Sequence, residues 1–343
     1  MKQPRPAGSD TKVPLIGVMY QRDVPPELLI QRTRQFEALG LDDVWVVEDL
    51  FFAGGIATAA TVLQATEDVM VGIGILPSVV RNPVFAAMEI AALLRLHPGR
   101  VLPGIGHGMQ DWMLSVGARV SSPLVALEET LTSIGRLLDG ETVSMDGRYV
   151  HLDKAKLAFP PEQRPPLLAG VRGPKSIAVA GRVADGLILA EPTSPAYVKW
   201  ARTLFGSAAA ESNRKAPMVV AYSWLSIADD PAQARDRVRP FLASVPGGLH
   251  EPSVRPHIEA LDFSAELIET LERNPDQDSL GRALRPEWID QLGVVGTPAD
   301  CAAALQRLAA AGADRVVLVP IPDRIDEQVA LLAKSVLPLL RGG

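Results

Sequence analysis

The feature that most constrains this chain is an alternation of short β-rich runs with helical stretches along almost its whole length. "PLIGVMY" (residues 14–20) precedes a helical stretch from Pro25 to Gly40, and "DVWVV" (43–47) leads into "GGIATAATVLQATE". "VMVGIGIL" (69–76) leads into "NPVFAAMEIAALLRLHPG", and "RVLPGIG" (100–106) into a helix over 124–138. "PPLLAGV" with its helix, "DGLILA" with a helix opened by Ser194 and Pro195, and "PMVVAYSWLSIA" follow. "DRVVLVP" (314–320), with a last apolar helix to Leu340, completes eight strand candidates. Strands that alternate with helices imply a parallel sheet with right-handed crossovers.

An internal echo sharpens this. "LGLDDVWVV" (39–47) and "AGADRVVLV" (311–319) share a glycine, an aspartate and then a strand, and "AGRVADGLIL" (180–189) repeats the pattern with two extra residues. The glycine reads as a helix C-cap and the apolar run as a strand buried on both faces. Similar units at both ends and in the middle favour one closed α/β barrel, a (β/α)8 TIM barrel over 13–343, with an open doubly wound sheet as the alternative. Two segments break the cadence. "GETVSMDGRYVHL" (140–152) reads as a hairpin after helix four, turning at Asp146-Gly147. Residues 229–292, polar and proline-punctuated, read as short helices inserted after strand seven, either shaping a site or forming a dimerisation arm. "TPAD" (297–300) has the pattern of a capping box.

Composition narrows the function classes. A net charge of −6 argues against a general nucleic-acid surface. The single cysteine, Cys301, excludes an internal disulfide framework and fits a reducing compartment. No apolar run approaches the roughly 20 residues that cross a bilayer. Residues 1–12, "MKQPRPAGSDTK", read as a disordered polar arm rather than a signal peptide or anchor. The expectation is a soluble, cytoplasmic protein acting on a small molecule.

In a parallel barrel the working groups lie at the C-terminal strand ends. Strand two ends in Glu48 and Asp49, where a neighbouring carboxylate raises a pKa and creates a proton donor, or where the pair caps a helix or meets an arginine. After strand three comes Arg81. After strand four, "GIGHGMQDW" places His107 between Gly106 and Gly108, with Met109 and Trp112 as a wall for a flat ligand or as core. After strand five, "GVRGPKS" (170–176) opens a helix with proline, which makes either an anion site or an ordinary turn. Strand six ends at Glu191. There is no H-E-x-x-H, no G-x-S-x-G, no complete G-x-G-x-x-G and no mid-strand lysine, so a borrowed cofactor explains the chain better than a nucleophile of its own.

Together the stretches "ALGLDDVWVVEDLFFAGG", "GIGILPSVVRNPVFAAMEIAALLRLHPGRVLPGIGHG", "PPLLAGVRGPKSIAVAGRVADGLILAE" and "VVGTPADCAAALQRLAAAGADRVVLVP" resemble the bacterial-luciferase-like superfamily of flavin and deazaflavin barrels, closest to the branch using coenzyme F420. The resemblance implies hydride transfer between F420 and a small organic substrate. The FMN branch, a two-component monooxygenase with a partner reductase, is the alternative, and a non-catalytic flavin-binding protein a third. It also implies a homodimer. By matching motif, the cofactor phosphate falls on the backbone of Gly170, Val171, Arg172, Gly173, Pro174, Lys175 and Ser176. A non-prolyl cis peptide at Gly74–Ile75 backs the ring, and Gly106 to Gly108 flank the ribityl-phosphate side. Glu48, Asp49 and His107 become the proton-donor candidates, and Met109, Trp112 and Glu191 line the substrate pocket. Two departures stand out: Glu48-Asp49 replaces the Asp-His of many relatives, and Met109 replaces the glutamate of the sugar-phosphate dehydrogenases.

Overall fold

The computed structural model describes residues 13–244 and 248–342, so the N-terminal arm expected over 1–12 lies outside the described residues. The strands are β1 (Leu15–Met19), β2 (Asp43–Val46), β3 (Met70–Pro77), β4 (Val101–Gly106), β5 (Val143–Asp146), β6 (His151–Ala155), β7 (Leu168–Gly170), β8 (Gly186–Leu189), β9 (Met218–Ile227), β10 (Gly293–Gly296) and β11 (Arg315–Pro320). Among the described residues, eight of them close in parallel in the order β1-β2-β3-β4-β7-β8-β9-β11 and back to β1. The expected TIM barrel is therefore the fold, and the open sheet is not.

β5 and β6 form the antiparallel hairpin, its second strand running to Ala155. The described residues of the stretch 229–292 form short helices, from Pro231–Leu242 to Pro286–Leu292, with their own apolar cluster around Val238, Leu242, Ile258, Leu267, Trp288 and Ile289. β10 was not among the sequence candidates. Its four residues pair only with the outer end of β9, Trp224 to Ile227, beyond the register where β9 meets β8. A glycine-bounded run that short carries no periodicity to read.

The glycine–aspartate echo has a physical cause. Asp42 Oδ2 accepts from the Ile16 N–H, Asp185 Oδ2 from the Leu167 N–H and Asp314 Oδ2 from the Val219 N–H, each at 2.9 Å. Each carboxylate thus holds the first residues of the neighbouring strand. An arginine balances each one: Arg341 for Asp42, Arg164 and Arg214 for Asp185, Arg202 for Asp314. Gly40 and Gly312 take left-handed φ of 80° and 111°, as helix-ending glycines do. Gly181 corrects the expectation. It lies inside the helix Pro174–Val183, where a Cβ would meet the Phe205 carbonyl at 2.7 Å, so its role is close helix packing.

Within the barrel, Trp45, Leu102, Leu168, Ile188, Val220, Tyr222, Val317 and Val319 form the filling. Near the strand starts, the buried Asp43 of β2 pairs with Arg315 of β11 across β1. They meet because Gly17 of β1 has no side chain; a Cβ there would sit 2.8 Å from that of Asp43. Burial pushes the Asp43 carboxyl up, and the Arg315 guanidinium pulls it back. Removing one partner of such a pair costs about 3–5 kcal/mol, whereas apolar replacement of both is tolerated. Arg315→Met is expected to lower stability by that amount in urea titrations, and Asp43→Leu/Arg315→Met by much less.

Candidate active site at the barrel mouth

The third strand departs from regularity where the mouth begins. The Gly74–Ile75 peptide is cis, and the β3–β4 register slips between Ile73 and Leu76. Gly74 and Ile75 both face the barrel interior: a Cβ on Gly74 would meet the Tyr222 hydroxyl at 2.3 Å, and Ile75 packs against the barrel filling. Space for Ile75 is left by glycines on the adjacent strands: a Cβ on Gly170 would lie 2.4 Å from Ile75 Cγ2, and one on Gly106 would lie 2.9 Å from Ile75 Cγ1. Gly74, Ile75 and Gly170 remain half-exposed, so this side-chain-poor wall is open to a ligand.

Beside that wall lies the start of the helix Pro174–Val183. Its N-cap, Gly173, supplies no side-chain cap, and Pro174 at the first position has no N–H to satisfy. The N–H groups of Lys175 and Ser176 thus face outward at the positive end of the helix dipole. A Cβ on Gly173 would meet nothing within 4 Å, so the space in front is open. His107 Nε2 lies 2.9 Å from Ser176 Oγ, joining the glycine loop after β4 to this helix start. Burial lowers the His107 pKa, with the Pro123 carbonyl pulling the other way, so the ring is neutral at pH 7. Arg172 reaches sideways, its Nη1 donating to Ser253 Oγ of the insertion at 2.7 Å.

The two adjacent carboxylates after β2 separate in role. Arg81 grips Glu48 through both Nη atoms, with Nη2 to Oε2 at 2.7 Å, and Glu48 also accepts from the Gly55 N–H at 2.8 Å. Glu48 is therefore an ion-paired helix cap, which removes it from the proton-donor candidates. Asp49 is held by Arg22 Nη1 at 3.0 Å, and burial raises its pKa against that pull. The same Arg22 lies over the rings of Phe52 and Trp112, which places Trp112 on the mouth rim. Met109 precedes the short helix Gln110–Ser115 that carries Trp112. Burial raises Glu191 as well; the Arg172 charge opposes the shift and the Asp49 charge adds to it.

Sequence reading missed several groups here. The Tyr222 hydroxyl is buried without a hydrogen-bond partner among the described residues, and a Cβ on Gly74 would meet it at 2.3 Å. Its signal was the period-two alternation of "VVAYSWL", which turns Val220, Tyr222 and Trp224 to one face. Arg22, Tyr197 and His257 come from loops, a helix and the insertion, with no spacing that joins them. A phosphate-bearing planar cofactor fits this mouth: a bare wall, an open uncapped helix start and an unpartnered phenol converge on it.

A profile of the luciferase-like monooxygenase family matches residues 13–315, and the chain belongs to that family. It is 26% identical to the 5,10-methylenetetrahydromethanopterin reductase of Methanolobus tindarius over 323 residues, covering 94% of this chain and 99% of that one. The coenzyme F420-dependent tetrahydromethanopterin reductase of Methanopyrus kandleri has a similar structure, with a TM-score of 0.79 at 21% identity over 96% of this chain and 99% of its own. An F420-dependent secondary alcohol dehydrogenase, solved with an F420–acetone adduct, aligns with a TM-score of 0.76 at 20% identity, covering 95% and 98%. Among the described residues no helix is long and apolar enough to cross a membrane.

His257 is fully buried, and burial, with the charge of Arg172, lowers its pKa to about 3, while the Pro192 carbonyl acts in the opposite direction. The unfolded chain takes up a proton near pH 6.5 that the native state refuses, so His257 costs stability progressively as pH falls from about 6.5 toward 3. Between pH 7.5 and 5.0 the loss is about 2 kcal/mol. His257→Asn is expected to flatten the pH dependence of urea unfolding by that amount.

Proposed function

We propose that this protein is a coenzyme F420-dependent oxidoreductase that moves a hydride between the deazaflavin and a small organic substrate. The observation that carries the reading is the uncapped, open helix start at Gly173 beside the glycine-bare wall. Structural similarity over nearly the full length to an F420-dependent reductase and an F420-dependent dehydrogenase supports the choice of cofactor. When bound, the deazaflavin supplies two-electron hydride chemistry.

The protein supplies the rest. The N–H groups of Lys175 and Ser176, with the Ser176 hydroxyl and neutral His107, hold the phosphate. The Gly74–Ile75 bulge, Gly106 and Gly170 back the ring. Burial raises the carboxyls of Asp49 and Glu191 above their ordinary range, against the pull of Arg22 and Arg172, which is the direction a proton donor needs. Among the described residues Glu191 makes no ion pair, so it is the better placed to part with its proton.

Gly173 has φ −86° and ψ 160°, which aspartate adopts without strain, and aspartate caps helices. Gly173→Asp is therefore expected to leave the melting temperature unchanged or higher while weakening F420 binding by about 100-fold or more, since it sets a fixed carboxylate against a phosphate. Tryptophan quenching against F420 and against FMN reads both affinities. Preference for FMN would move the protein to the monooxygenase side of the family, supplied by a separate reductase. Binding of neither overturns the proposal. Separately, an infrared pH titration is expected to show a protonated-carboxyl stretch that survives to higher pH than those of ordinary glutamates and is lost in Glu191→Gln; its persistence in the variant would remove Glu191 from the role.

A further inference from the structure

The loops that carry Arg172 and Glu191 are held by the insertion. Arg172 is bound at both ends: its Nη1 donates to Ser253 Oγ at 2.7 Å, and its carbonyl accepts from the Tyr197 hydroxyl at 2.7 Å. The Tyr197 ring lies flat on the imidazole of His257, with centroids 3.7 Å apart and planes 18° apart. His257 Nδ1 donates in turn to the Pro192 carbonyl at 2.8 Å, immediately after Glu191. Both rings are buried, at 0% and 1% exposure, so water does not compete for these bonds. One stacked pair therefore ties the loop after β7 and the loop after β8 to the same insertion helix, Arg255–Glu259, while Ser253 ties Arg172 to the turn just before it.

We propose that Ser253, Tyr197 and His257 are positioning residues: through them the insertion sets where the Arg172 guanidinium and the Glu191 carboxyl stand at the mouth. The inference rests on the reading of the loop after β7 as a phosphate site. The donor to Pro192 fixes the imidazole as the Nδ1–H tautomer, so Nε2 carries only a lone pair and is buried without a partner. A chain that wanted only packing here would not retain an unsatisfied nitrogen; the Nδ1 bond is what the histidine contributes beyond an aromatic face. Because coupling between sites is reciprocal, an anion at the helix start steadies the insertion as much as the insertion steadies Arg172.

Each bond has its own variant. Ser253 is exposed, so Ser253→Ala folds normally, and Tyr197→Phe keeps the stack while losing the bond to Arg172. Both are expected to raise the dissociation constant for F420 about five- to tenfold, Ser253→Ala at unchanged melting temperature and Tyr197→Phe at a lowered one, since it removes a buried hydrogen bond. His257→Phe keeps the stack and loses the Pro192 bond. It is expected to shift the infrared carboxyl band of Glu191 while leaving F420 affinity within about twofold, within the range of mutations that change no ligand contact. His257→Asn, whose Nδ2 falls where Nδ1 was, restores the band. In the wild type, saturating F420 is expected to slow amide exchange over residues 249–260.

Wild-type affinity in Ser253→Ala and Tyr197→Phe, with exchange over 249–260 unchanged on saturation, overturns the inference. If the wild type binds no F420, the cofactor reading has failed by itself, and inorganic phosphate becomes the probe. Slowed exchange on adding phosphate, lost in Ser253→Ala, then sustains the positioning role; no slowing overturns it too.

Discussion

The structure depends on the closure of a parallel barrel, and closure depends on holding each strand start in register with its neighbour. At β1, β7 and β9 the carboxylates of Asp42, Asp185 and Asp314 do this by accepting an N–H of the adjacent strand start, and each is balanced by arginine. Charge-assisted bonds of this kind are stronger than neutral ones. Inside the same end, Asp43 and Arg315 meet in the gap that Gly17 leaves. The N-terminal end of the barrel is therefore electrostatically stapled and well determined.

A stapled floor permits an irregular mouth. The bulge in β3 turns two consecutive residues inward, and glycines at 106 and 170 absorb the intrusion of Ile75. The resulting wall is backbone rather than side chain, as a flat ligand requires. Around it, Glu48 is ion-paired with Arg81, while burial raises Asp49 and Glu191 against the pull of Arg22 and Arg172. Two adjacent carboxylates in the sequence thus end with different partners: Arg81 holds Glu48 through both Nη atoms, and Arg22 holds Asp49 through one.

Much of this was readable beforehand. The strand–helix cadence needs only local periodicity, so the eight barrel strands, the hairpin and the helical insertion were legible. The glycine-proline helix start was legible as a motif, and the Gly74–Ile75 position through the family resemblance. β10 was not, because four residues between glycines carry no period. Gly181 was misread as a cap because a glycine's spacing from a strand does not reveal whether another helix presses on it.

The sequence by itself determined the architecture and the backbone half of the site: turns, caps and glycine walls are written in local residue choice and stay where the strands put them. The electrostatic half was decided by the tertiary structure alone. Whether Glu48 or Asp49 meets an arginine side-on or fork-on, that Tyr222 lacks a partner, and that His257 lies on Tyr197 are consequences of residues far apart in the chain meeting in low dielectric. Desolvation and pairing act through space, and no spacing along the chain encodes them.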